Sequence, residues 1–143
     1  MSDFKRTGGC QCGAVRYTIR EPAQETAHCW CGMCRKIHGA VMVTLSTVAR
    51  ASFSVDKGAD NLGRFDSSPP VHRRFCKSCG CHLFIEMDDA PNLLEVATGT
   101  IDDGAHPGHA ADKLSHAWTG SKVGWLEIPD DGLVRFDKQG PGG

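Results

Sequence analysis

The 143 residues, 40% of them hydrophobic, suffice for one compact domain with its own core, so residues 1–143 are expected to form a single zinc-binding domain. A formal net charge of -1 and a pI near 6.6 supply no general attraction to nucleic acid or an anionic membrane, and neither is expected as a partner. Eight cysteines are then the most informative feature.

The N-terminal stretch MSDFKRTGG lacks a hydrophobic signal region, and no later run approaches the roughly 18 apolar residues of a spanning helix. A soluble, cytoplasmic protein is expected, and in a reducing compartment its cysteines point to metal ligation or redox chemistry over structural disulfides. Cys10-x-Cys12-Gly13 comes first. Val15, Tyr17 and Ile19 then alternate with Arg16 and Thr18, which reads as a half-buried strand. Residues 21–25 read as a loop. The run HCWCGMC follows, with Cys29, Cys31 and Cys34, and residues 32–37 make the one plausible helical turn. Val41, Val43 and Leu45 resume the period of two, and weaker strands are expected at 52–55, 63–66 and 71–75 around a loop at 67–70. The third thiol group, Cys76-x-x-Cys79-Gly80-Cys81, leads into the alternation of Leu83, Ile85 and Met87. Weak strands at 93–98 and 125–128 flank a loop at 102–108, and the tail QGPGG is expected to fray. With no long 3.6-residue period, the fold class is mainly β, built of short antiparallel strands tied by zinc knuckles.

Two thiols three positions apart across a tight turn grip one face of a tetrahedral ion, and a glycine after the second allows the backbone amides to fold back toward the sulfurs. Cys76 and Cys79 supply two ligands, and Cys10 with Cys12 is the other half of a closed four-thiol site. Joining such distant segments closes a long loop and turns metal binding into folding energy. HCWCGMC is left to bind a second ion with three thiolates. Structural zinc sites are closed by four protein ligands, whereas catalytic ones usually have three, so three thiols suggest an open position suited to another soft thiolate.

The order GGCQCGAVRY, CWCGMCRKIHGA, RRFCKSCG and HAWTGSKVGWLEIPDDGLVRF, spanning about residues 8–136, resembles the glutathione-dependent formaldehyde-activating enzyme family, also described as centromere protein V-like. The resemblance implies a β-tent, Mss4-like fold. It implies two zinc ions per chain, a structural one on Cys10, Cys12, Cys76 and Cys79 and a second on Cys29, Cys31 and Cys34. It also implies a carbon-sulfur lyase reaction, in reverse the condensation of formaldehyde with glutathione to S-(hydroxymethyl)glutathione. Two residues depart from the family's usual pattern. Trp30 stands where many relatives carry His or a small polar residue, and it either reshapes the pocket or closes it. Cys81 stands where Ser or Thr is common, as a spare buried thiol or as a fourth ligand of the second ion.

Other residues carry two readings each. Arg35 and Lys36 follow the second cluster and form either a clamp for a ligand carboxylate or a solvated face. His38 is either a proton donor and acceptor or a surface histidine. Arg73 and Arg74 beside Phe75 suggest a phosphate site or, more simply, alternation in a strand that leads into a knuckle. Trp118 and Trp125 read as core or pocket wall. His116 and Lys122 match the family's C-terminal segment without a role, and His106 and His109 lack a partner ligand. Three functions compete: a zinc-dependent carbon-sulfur lyase acting on a small thiol or thiol adduct such as that of glutathione, a noncatalytic zinc-stabilised interaction module, and a thiol redox or metal-handling protein.

Overall fold

The computed structural model describes residues 3–138, so the expectation for the QGPGG tail lies outside the described residues. Eleven strands and one α-helix follow one another, with short 3-10 turns between them. The strands are β1 (Arg6–Gly9), β2 (Arg16–Ile19), β3 (Glu25–Cys29), β4 (Val43–Ala49), β5 (Phe53–Lys57), β6 (Leu62–Ser68), β7 (Val71–Cys76), β8 (His82–Met87), β9 (Leu93–Ala97), β10 (Leu114–Ala117) and β11 (Val134–Arg135), and α1 is Gly32–His38. A three-stranded sheet runs β1-β2-β5, and an eight-stranded one runs β11-β10-β3-β4-β9-β8-β7-β6. The mainly β expectation holds. Among the described residues, no helix is long and apolar enough to cross a membrane.

Because side chains alternate across a strand, the large sheet has two differently used faces. Val48, Phe84, Leu94 and Val96 pack with Tyr17 and Ile19 of the small sheet into the main core, which also takes in Cys10 and Cys76. On the other face lie Cys29, Val43, Leu45, Ile85 and Ala97, joined by Cys34 of α1. The register aligns one row across this second face: Glu25 faces Thr47, Thr47 faces Glu95, Glu95 faces Ile85, Ile85 faces Arg73, and Arg73 faces Phe65. Three charged residues on a largely enclosed sheet face mark it as something other than a second core.

The structure corrects several local expectations. Residues 125–128 form no strand, and Trp125, expected as core or pocket wall, is 75% exposed. The sheet is not wholly antiparallel, since β10 pairs in parallel with both β3 and β11. Strands β3 and β10 lacked an apolar alternation because their inner positions are polar and paired. Thr26 bonds Ser46 at 2.7 Å, His28 Nδ1 lies 2.7 Å from Thr44 Oγ1, and Trp30 Nε1 donates to His116 at 3.0 Å. The loop expected at 21–25 gives up Glu25 to β3, and the one at 67–70 gives up Ser67 and Ser68 to β6. The weak strands at 52–55, 63–66, 71–75 and 93–98 are realised as β5, β6, β7 and β9, and the helical turn as α1.

Candidate metal centres and active site

The first thiol group assembles where β1 and β7 run out. Cys10, Cys12, Cys76 and Cys79 place their sulfurs within 4.8 Å of one another, with Cys10 and Cys12 at 3.6 Å and Cys12 and Cys76 at 3.8 Å. Sulfurs around a tetrahedral ion with bonds near 2.3 Å sit about 3.8 Å apart, so this donor set fits a zinc ion. Each knuckle closes on itself: Gly13 N donates to Cys10 O at 3.1 Å and Gly80 N to Cys76 O at 2.8 Å. Both glycines follow the second thiol of their pair and are left-handed, at φ 79° and 78°. Val15 N and Asn61 Nδ2 donate to the sulfurs of Cys10 and Cys76, as outer partners of metal-ligating sulfurs do. Cys81 packs against the main core beside this group and is not among the sulfurs that gather with Cys29, Cys31 and Cys34. It is therefore not placed to close the second site.

That second site begins as β3 ends. Cys29 is the last residue of the strand, Cys31 caps α1 by accepting the Cys34 N–H at 3.3 Å, and Cys34 lies one turn in. The seven-residue helix stops at Gly39, whose φ of 62° and N–H bond to Arg35 O form a left-handed C-cap. The three sulfurs lie within 4.8 Å of one another, and the soft donors suit zinc as the first set does. Hydrogen bonding from Cys29 and then Cys34 holds the Cys31 thiol far below the usual range, while the bond to Cys31 pushes Cys29 up.

All three cysteines line a cavity of about 260 Å³ over the second face of the sheet, together with Glu25, Thr47, Arg73, Glu95, Trp118 and several apolar residues. Met33 and Arg73 are shared with a larger, mostly apolar recess of about 630 Å³ that also includes Lys36, Ile37, Phe65, Phe75 and His82. Burial pushes the Glu95 carboxyl toward its neutral form. Arg73 is 3% exposed and brings Nη2 to 3.7 Å from Cys34 Sγ.

The structure separates the sequence-derived candidates. Arg35 Nη1 donates to the carbonyls of Trp30 and Ser121, at 2.9 and 2.7 Å, so its guanidinium ties the thiol loop to the C-terminal segment. Lys36 lines the larger recess. His38 lies at the far end of α1 with its ring 5.1 Å from that of His82, and burial lowers its pKa to about 4. Trp30 is buried with its indole N–H on His116 Nδ1, so Nε2–H of His116 is the side that meets Asp131 at 2.7 Å. The departure at Trp30 thus leaves the cavity unblocked and fastens the thiol loop from behind. Trp118 forms pocket wall.

Sequence reasoning passed over Glu25 and Glu95 and read Arg73 as strand alternation. The signal for two of them was present: each is a charged residue whose strand neighbours at i±2 are apolar, Val71 and Phe75 around Arg73 and Leu93 and Ala97 around Glu95.

Residues 5–121 match the family model described as glutathione-dependent formaldehyde-activating enzyme. A protein of Aspergillus flavus named "Putative glutathione-dependent formaldehyde-activating enzyme" is 30% identical over 127 residues, which is 87% of this chain and 57% of that protein. One of the same name from Emericella nidulans is 26% identical over 129 residues, 87% of this chain and 58% of the relative. The chain therefore spans a little under three fifths of the curated relatives it matches. A crystal structure of a Rhodobacter sphaeroides protein aligns over 91% of this chain and 98% of its own, with a TM-score of 0.59 at 20% identity, and so shares the fold. With its three cysteine groups in order and the matching segment covering most of its length, the chain belongs to the glutathione-dependent formaldehyde-activating enzyme family.

Proposed function

We propose that the protein is a zinc-dependent carbon-sulfur lyase-type enzyme that makes or breaks a thiol-aldehyde adduct, of the S-(hydroxymethyl)glutathione synthase kind, with one structural and one functional zinc ion. The observation that carries this reading is the three-thiol cluster at the wall of a cavity, whose fourth corner no cysteine among the described residues takes. Zinc bound there would supply a Lewis-acidic position that accepts a substrate sulfur as thiolate.

The chain's own residues account for the rest. In the synthetic direction the thiol sulfur bonds to the aldehyde carbon, and the thiol proton ends on the former carbonyl oxygen, with no change of oxidation state. Glu95, whose pKa burial raises, faces the same cavity as the thiols, and its carboxyl is assigned the relay of the thiol proton to that oxygen. In the reverse direction the same carboxylate accepts the hydroxyl proton as the carbon-sulfur bond breaks. Leu45, Val71, Ile85 and Met87 exclude water from the reacting carbon. Lys36, at the rim of the larger recess, is the free cation for a ligand carboxylate, since Arg35 is engaged by backbone carbonyls. A glutathione-like thiol is the partner this arrangement would take.

Exchange NMR on formaldehyde, glutathione and their adduct tests the reading. The zinc-loaded chain should speed interconversion above the uncatalysed rate, and Cys31→Ser should abolish the effect. The interaction-module reading draws on Met33 and Phe65, 50% and 52% exposed beside the larger recess. No acceleration with both zinc ions bound would favour it.

A further inference from the structure

A buried arginine beside a cluster of thiols is unusual enough to need a reason, because a guanidinium removed from water must recover its solvation from partners in the protein. Arg73 recovers only part of it. Nε donates to Ser67 Oγ at 3.0 Å and Nη2 approaches Cys34 Sγ at 3.7 Å, while Nη1 is buried without a hydrogen-bond partner in the protein. Both of these partners are formally neutral when Cys34 is a thiol. Glu25 and Glu95, the latter two places along the same cross-strand row, face the same cavity, but neither forms a hydrogen bond or ion pair with Arg73. Of the two partners that Arg73 does reach, Cys34 is thus the one that can carry a matching negative charge. Three thiolates around a divalent ion carry one net negative charge, which the guanidinium beside Cys34 balances.

We propose that Arg73 is the built-in counter-charge of the Cys29, Cys31 and Cys34 cluster, a positioning residue that makes a metallated three-thiolate centre tolerable inside the protein. This rests on the reading of that cluster as a metal site. It also explains why the arginine stands on the cavity face of β7 and not on the face toward the core: the strand's period of two that places Val71 and Phe75 there places Arg73 with them. The charge would act again when a substrate thiolate enters, since the centre then gains a second negative charge.

The test is a chelator challenge of the full chain loaded with zinc, following release of each ion with a zinc indicator. Cys31→Ser identifies the phase that belongs to the second cluster. Arg73→Met is expected to weaken retention in that phase about 10- to 100-fold, the usual cost of losing an outer-sphere partner, with the four-thiol phase unchanged. Arg73→Lys, which keeps the charge, is expected to stay within about threefold of the parent. Unchanged retention in Arg73→Met overturns the proposal, as does an equal loss in Arg73→Lys, which would make the role one of shape. If Arg73→Met releases both ions together because the fold fails, Arg73→Gln against Arg73→Lys decides: loss in Gln with retention in Lys supports the counter-charge, and equal behaviour overturns it. A parent chain that binds only one zinc ion overturns the metal reading of the second cluster itself, a result separate from either variant's.

Discussion

The two thiol clusters are made from similar sequence and differ in where the fold puts them. The four-thiol group ties β1 to the end of β7, with Cys10 and Cys76 buried in the main core between the sheets. The three-thiol group belongs to one short segment, stands on the opposite face of the large sheet and opens to a cavity with buried charges. A metal site that joins distant segments would contribute to folding, whereas a local one would ask little of the fold, which is the contrast the proposed function rests on.

The most severe way to break this contrast is at Cys76, which is fully buried. Cys76→Ser should lose on the order of several kcal/mol of stability or fail to stay soluble. An unchanged urea or thermal unfolding transition would remove the structural role assigned to the first cluster. Cys31→Ser is the matched substitution in the other cluster. It should unfold cooperatively, since Ser also caps a helix, yet bind one zinc ion fewer and lose activity. Metal analysis beside circular dichroism reads both, and loss of cooperative unfolding would make the two clusters alike.

Glu95→Gln sharpens the comparison because its effects on rate and stability have opposite signs. Loss of the proton relay should lower kcat/KM by about 10²- to 10⁴-fold. The folded-state pKa of Glu95 is raised by burial. Its contribution to stability is therefore fully present below the unfolded carboxylate pKa and is lost as pH rises toward and through the folded value. At neutral pH the Gln variant should be at least as stable as the parent, with its advantage vanishing in acid. A variant less stable at pH 7 than at pH 4, relative to the parent, would contradict this. The smallest expected effect is that of Trp30→Phe, which leaves His116 Nδ1 without the indole N–H. It should cost about 1 kcal/mol and loosen only the second ion. Equal loosening of both ions would show the clusters to be coupled.

Much of this was readable before the fold was known. The spacing of Cys76, Cys79 and Gly80 prescribes a knuckle because ligand bite and a left-handed glycine are local geometry, and both glycines adopt it. The apolar period of two identified β2, β4 and β8 because one face of each is apolar, whereas β5, β6, β7 and β9 stood out only as weaker candidates. It failed for β3 and β10, whose buried positions include the hydrogen-bonded Thr26 and His116. Polarity there is satisfied by strands far away in the chain, which no local pattern announces.

The sequence by itself determined the ligand types, their grouping and the family, since all of these reside in short ordered motifs. Which charges attend the open cluster was decided only by tertiary structure. Arg35 is one residue from Cys34, yet it is turned away to the carbonyls of Trp30 and Ser121. Arg73 is 39 residues from Cys34 and approaches its sulfur. The physical reason is that strand order and register bring β7 and β9 beside the thiol loop, and alternation then aims Arg73 and Glu95 into the cavity.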